Sequence, residues 1–203
     1  MNVWNDKIKI ISPVVNYFVE AHNEPTSIVS GFLRMVQALE SYSRRCRKCT
    51  LIPPEEHEKR ISEILESIED ANNQEWLRKV LSTPIINEPS CQQRITTLFK
   101  EISGILNVSN SKIKTLSYRI VTSRNYYTHF NESLKENILS DTDLYYSTVL
   151  MRYVLRILIM RELSFNDEYI SENILKDSEI HIAMGELGIT NKFIACKVST
   201  SIE

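Results

Sequence analysis

The chain has 203 residues, 42% of them hydrophobic, which is enough to bury a substantial core as one or two domains. Only 4 glycines and 6 prolines leave little punctuation for many short strands or hairpins. A net charge of −2 and a pI near 6.1 exclude a global basic signature for nucleic acid. Any RNA contact then has to come from a local patch, or from two patches joined across a dimer.

Met1-Asn2-Val3-Trp4 leads into the charged Asp6, Lys7 and Lys9 rather than an unbroken apolar run, so the start does not read as a signal peptide. Residues 1–26 read as an N-terminal segment or linker from an upstream sensor domain, with Pro13 as an interruption and at most a short helix over 14–21. From Ser27 the pattern sharpens: Ile28, Phe32, Met35, Leu39 and Tyr42 recur at helical spacing. Thr26 or Ser27 suits the N-cap, and the basic cluster at 44–48 suits the negative end of the helix dipole. Pro53-Pro54 opens a second helix, with Glu55, Glu56 and Glu58 at its positive end and a stripe of Ile61, Ile64, Leu65 and Ile68. A shorter helix follows Asn72-Asn73, carries Trp76, Leu77, Val80 and Leu81, and stops near Thr83-Pro84.

Pro89-Ser90 starts the next helix, with Cys91, Ile95, Leu98, Phe99, Ile102 and Ile105 on one face. After a turn at 107–110, a further helix runs through Ile113, Leu116, Ile120 and Val121 toward Arg124. Asp141 or Thr142 caps a nearly all-round apolar helix carrying Leu144, Val149, Leu150, Val154, Leu155, Leu158 and Ile159. Such a helix is either central in a bundle or shared with a partner, which makes it a candidate dimer face. Arg152, Arg156 and Arg161 interrupt it, so it reads as a buried helix rather than a membrane span, and a cytoplasmic protein is expected. One more helix near 168–177 precedes a tail in which Ile194, Cys196 and Val198 alternate, as in a short strand. The fold class is all-α: a helical bundle over 27–165, with 166–203 packing on it as a helix and tail.

Four cysteines without a secretory signal are too few for a disulfide framework in a chain this size. Cys46 and Cys49 form a Cys-x-x-Cys, but Cys91 and Cys196 are solitary, so the second pair of a structural zinc site is missing. The flanking Arg44, Arg45, Arg47 and Lys48 would lower the thiol pKa and favour redox sensitivity. The other reading is a basic helix end carrying two incidental thiols.

The residues richest in chemistry lie together in Ser123-Arg124-Asn125-Tyr126-Tyr127-Thr128-His129-Phe130-Asn131. The bare pattern of an arginine and a histidine four to six residues apart is weak, since about 0.7 matches over those three gaps arise by chance in a chain like this one. Its context is stronger. Arg124 falls where an amphipathic helix is expected to end, Asn125 follows directly, and the apolar helix begins some dozen residues later. A gap of five places two side chains roughly 140° apart on a continuous helix, so Arg124 and His129 converge only if the helix ends or bends between them. The competing reading is a surface His129 beside a helix end, with Arg124 pairing to Glu132 or capping carbonyls.

This run, after an amphipathic helix and before a long apolar one, resembles the HEPN domain, specifically the ApeA-like branch found in bacterial anti-phage proteins. Arg124, Asn125 and His129 occupy the family motif of arginine, polar residue and histidine, and the likeness extends over 27–165. The resemblance implies a helical bundle, usually dimeric, in which two copies of the motif meet across the interface. It implies metal-independent endoribonuclease activity in abortive infection or toxin–antitoxin defence, or else a member that has lost catalysis and binds RNA, a nucleotide or a protein.

The chemistry fits without a metal or cofactor, because RNA carries its own nucleophile in the 2′-hydroxyl. An imidazole titrates near pH 6.5, which suits His129 to take or give a proton. Arg124 can fork two hydrogen bonds to phosphate oxygens as negative charge develops on the phosphorane. Asn125 would orient His129 or donate to the phosphate. Tyr126 is the better candidate for stacking a splayed base; Tyr127 continues the apolar stripe from Ile120 and reads rather as core. Arg119, expected to be exposed, would extend the phosphate track. His22, His57 and His181 have no partner at meaningful spacing and read as solvated. One histidine per chain falls short of an acid–base pair, so a homodimer is expected to supply both. The expected partners are RNA, a second copy of the chain and an upstream sensor domain or antitoxin, with no DNA and no membrane.

Overall fold

A computed structural model of the chain describes residues 2–23, 27–47 and 50–190. Its described residues form ten α-helices and two short 3-10 helices, with no strand among them. The suggested strand at 194–198 lies outside the described residues, as do Cys49 and Cys196.

The amino terminus departs furthest from expectation. Helix α1 (Asn2–Asn23) occupies most of the stretch expected as a segment or linker, and it packs along α2 (Ile28–Cys46). Its Ile11 and Val14 are buried, and Val14 joins Phe32 and Met35 in the main core. Pro13 sits inside this helix instead of ending it. Proline has no N–H to give the carbonyl four residues back, here that of Lys9. Arg45 of α2 fills the gap: Nη2 donates to the Lys9 carbonyl at 3.2 Å, and Nε donates to the Ile10 carbonyl.

Helices α3 (Pro54–Glu66) and α4 (Ala71–Leu81) form a hairpin packed chiefly on itself. Leu65 is the buried residue of α3, while Ile64, Trp76 and Val80 are exposed. Asn87 closes the base of this excursion, since its side chain both donates to and accepts from the Ile52 backbone, at 3.0 and 3.1 Å. Ser90 and Gln93 form a reciprocal capping box that starts α5 (Cys91–Glu101). The expected stripe through Ile105 stays buried, but it is split at Ile102 into α5 and the short α6 (Ser103–Leu106). Asn107 then reverses the chain in a left-handed conformation, and Ser109 caps α7 (Asn110–His129). A 3-10 helix over Glu132–Asn137 leads to α8 (Asp141–Glu162), capped by Ser140. The expected helix near 168–177 is α9 (Asp167–Ile174), and a further helix, α10 (Ser178–Glu186), follows where a tail was expected, its start capped by the Asp177 carboxylate.

Helix α8 is the axis of the bundle. It packs against α2, α5, α9 and α10 and buries Val149, Leu150, Val154, Leu155, Ile157 and Leu158. At about 1.5–3 kcal/mol per fully buried large aliphatic side chain, this is a major part of what holds the helices together. Much of the apolar stripe that suggested a dimer face is thus covered by the chain's own helices, while Tyr145 of α8 stays exposed. No helix among the described residues is long and apolar enough to cross a membrane.

Glu162, at the end of α8 and only 11% exposed, ties four helices together. Its carboxylate accepts from Lys7 at 2.6 Å, Arg47 at 2.7 Å and the Tyr42 hydroxyl at 3.0 Å. Arg47 also pairs with Glu101 at 2.9 Å. Burial alone would push the Glu162 carboxyl up, but the hydrogen bonds from Arg47, Lys7 and Tyr42 hold it down at about 2. The Cys46 thiol beside this node is pushed up, chiefly by burial and then by the Glu162 charge, which outweigh Arg47, Lys7 and Arg45. The expected thiolate activation by neighbouring cations is thus reversed at Cys46.

Candidate active site

Helix α7 buries Ile113, Leu116, Ile120 and Val121, and its last two turns carry the Arg-x4-His stretch. It runs without a break through Arg124 to His129, contrary to the expectation that it ends or bends between them. Ser123 is fully buried, donates to the Arg119 carbonyl at 2.8 Å and accepts from the Leu139 N–H at 2.7 Å. This ties the returning loop to the helix, and Thr128 adds a bond to the Arg124 carbonyl at 2.7 Å. The helix stops only at Phe130, whose left-handed backbone (φ 50°, ψ 40°) lets its N–H reach the Tyr126 carbonyl at 2.6 Å.

Arg124 and His129 therefore do not converge within one chain. Arg124, 29% exposed, faces α2: Nη1 donates to Asn125 Oδ1 at 3.0 Å, and Nη2 lies 3.7 Å from Glu40 Oε2. Neither of the other expected partners holds it, and Glu132 pairs instead with Lys135 at 3.3 Å. His129 is exposed in the last turn of α7. Asn125 orients the arginine rather than the histidine, and its amide nitrogen has no role in that bond.

Glu40 is the participant that spacing alone could not find, because it lies 84 residues from Arg124. Only 12% exposed, it also accepts from Arg44 at 3.2 and 3.3 Å. The one signal for it in the sequence is a carboxylate next to the apolar Leu39 with an arginine four residues on. Cys91, at the start of α5, sits against the same cluster. Its thiol is pushed up to about 11, first by burial and then by the Glu40 charge, with Arg124 acting the other way.

The aromatic residues take different positions. Tyr127 packs against the core, as the stripe from Ile120 suggests, and burial raises its phenol, with the Asp141 charge adding to this. Tyr126 is half-buried and meets the Tyr127 ring edge-on at 5.1 Å and the Phe130 ring at 6.3 Å. Arg119 is not a free cation extending a phosphate track. It is paired to Asp143 at 3.0 Å and reaches the Ile138 carbonyl at 3.5 Å, joining α7 to the start of α8. His181 is likewise engaged rather than solvated, with Nε2 2.8 Å from the Leu175 carbonyl. Among the described residues no group of three or more His, Cys, Asp or Glu side chains is placed to hold a metal ion.

The fold and the site define a class: an all-α bundle with an arginine, an asparagine and an exposed histidine on the last turns of one helix. The chain belongs to the Apea-like HEPN family, whose model matches residues 33–169. That span runs from the first turns of α2 to the start of α9, so it includes Glu40, Cys91 and the whole of α7; α1 and α10 lie outside it. No curated protein and no solved structure matches the chain.

Proposed function

We propose that this protein is a metal-independent endoribonuclease of bacterial anti-phage defence, acting by abortive infection, with two chains forming the working unit. The observation that carries the reading is a braced Arg124 and an exposed His129 carried on the last turns of the same helix, α7, in a chain of the Apea-like HEPN family. Asn125 and Glu40 hold the guanidinium in place before any substrate arrives, so little of its freedom remains to be lost on binding phosphate.

In the proposed reaction a ribose 2′-hydroxyl attacks the adjacent phosphorus while one His129 takes its proton. Arg124 balances the charge that grows on the phosphorane oxygens. The 5′-oxygen then leaves with a proton from the other His129 of the pair, giving a 2′,3′-cyclic phosphate and a 5′-hydroxyl. Two chains are needed because one imidazole cannot be proton acceptor and donor in the same step. Asn125 keeps Arg124 aimed, and Tyr126 flanks the site. An upstream sensor domain or an antitoxin fits as the restraint on such an activity.

Total RNA incubated with the purified protein in EDTA tests this. Cleavage should survive chelation, fall about 10²- to 10⁴-fold in His129→Ala, and fall about 10²- to 10³-fold in Arg124→Ala. Equal background in all three proteins sinks the reading. One observation favours a second reading, a non-catalytic module binding RNA or a nucleotide: Arg124 is already occupied by a carboxylate and turned away from His129. RNA that binds uncut and is released by Arg124→Ala selects that alternative.

A further inference from the structure

The described residues contain several left-handed helix ends, and three are built from small or polar residues: Asn107, Ser164 and Gly188. Glycine, and to a lesser degree asparagine, adopts that conformation at little cost, and Ser164 carries only a small side chain into it. The fourth is Phe130. There, a bulky ring sits where glycine is the ordinary choice, and its burial does not compensate. Phe130 is 71% exposed, more than any other large apolar side chain among the described residues. The chain accepts an unfavourable backbone and an exposed aromatic at one position, directly after His129. Strain of this kind gathers where a ligand is handled.

The surroundings indicate what kind of ligand. Its chain neighbours Thr128, His129, Asn131 and Glu132 are all exposed and polar, so the ring is flanked along the chain by groups suited to a ribose or phosphate rather than by an exposed apolar run. The Tyr126 ring lies 6.3 Å away, tilted by 59°, while Phe130 itself remains largely exposed. We infer that Phe130, beside Tyr126, is the platform on which an unpaired nucleobase of the bound RNA stacks next to the cleaved linkage. This rests on the ribonuclease reading above. In a duplex both faces of a base are covered by its neighbours, and only a splayed base offers one to a ring.

The test uses a short single-stranded 2′-O-methyl oligoribonucleotide containing 2-aminopurine, which cannot be cleaved and reports stacking by its fluorescence. Wild-type protein should quench it and should bind the annealed duplex far more weakly. Phe130→Ala and Phe130→Leu should each bind the single strand about 5- to 150-fold more weakly and lose the quenching. Phe130→Tyr should retain both. Phe130→Gly should lose binding while keeping or raising the melting temperature, because glycine suits the left-handed backbone; a merely structural ring would show the opposite.

Binding and quenching unchanged in Phe130→Ala overturn the inference and leave the ribonuclease reading standing. Equal affinity for duplex overturns it as well. If Phe130→Ala converts a dimer to a monomer and recovers RNA binding at high protein concentration, the ring is a subunit anchor and the inference falls. If the wild type neither binds the oligonucleotide nor cleaves RNA, both readings fall together.

Discussion

At the scale of single residues, Glu40 sets the resting state of the candidate site. Its carboxylate lies 3.7 Å from Arg124 and also holds Arg44, so it both aims the guanidinium and competes with an incoming phosphate. Glu40→Gln keeps the shape and removes the charge. RNA affinity should then rise by a few-fold, the size of a long, partly buried ion pair, while the cleavage rate falls by about 10-fold as Arg124 loses its aim. A gel-shift titration and single-turnover cleavage separate the two effects. The same variant should lower the Cys91 thiol from about 11, since the Glu40 charge is one of the groups holding it up; the pH profile of thiol alkylation reads this directly. The motif residues Arg124, Asn125 and His129 were legible from their order and from the helix around them. Their directions were not. Spacing shows how far apart two side chains stand around a helix but not where the helix ends; here it runs on to His129 and closes at the left-handed Phe130.

At the scale of elements, caps and apolar stripes gave most of the helices: Ser27, Ser90 and Ser109 start α2, α5 and α7 near where periodicity places them. Helix α1 shows what such patterns miss. Pro13 marks an interruption on local grounds, because it removes a hydrogen bond and crowds the preceding turn, at about 3 kcal/mol in a helix interior. Burial of Ile11 and Val14 against α2 and the Arg45 contacts to the Lys9 and Ile10 carbonyls offset that local cost. These are long-range compensations, invisible in a window of a dozen residues. Arg45→Ala should lower stability by about 1–2 kcal/mol, seen as an earlier urea midpoint. With Pro13→Ala also present, an N–H again reaches the Lys9 carbonyl, and the loss should shrink. Additive effects in that double-mutant cycle would show that Arg45 does not compensate for the proline.

At the scale of the whole molecule, Glu162 joins α1 and α2 to α8, and through Arg47 to α5. Its carboxyl is held at about 2, below its unfolded value, so its stabilisation is complete above roughly pH 4.5 and fades as pH falls from there toward 2. Glu162→Gln should therefore lower the melting temperature at neutral pH and flatten its decline between pH 4.5 and 2, as followed by circular dichroism. A decline of the same slope in wild type and variant would exclude Glu162 as its source. The internal position of α8 has a consequence of another kind. With Val154, Leu155, Ile157 and Leu158 enclosed by their own chain, two copies that meet in the proposed enzyme have to do so through other surface. While that association is weak, the number of assembled pairs grows with the square of the chain concentration. In the proposed enzyme, doubling the number of chains would then quadruple the number of working pairs, so activity would answer more than in proportion to abundance.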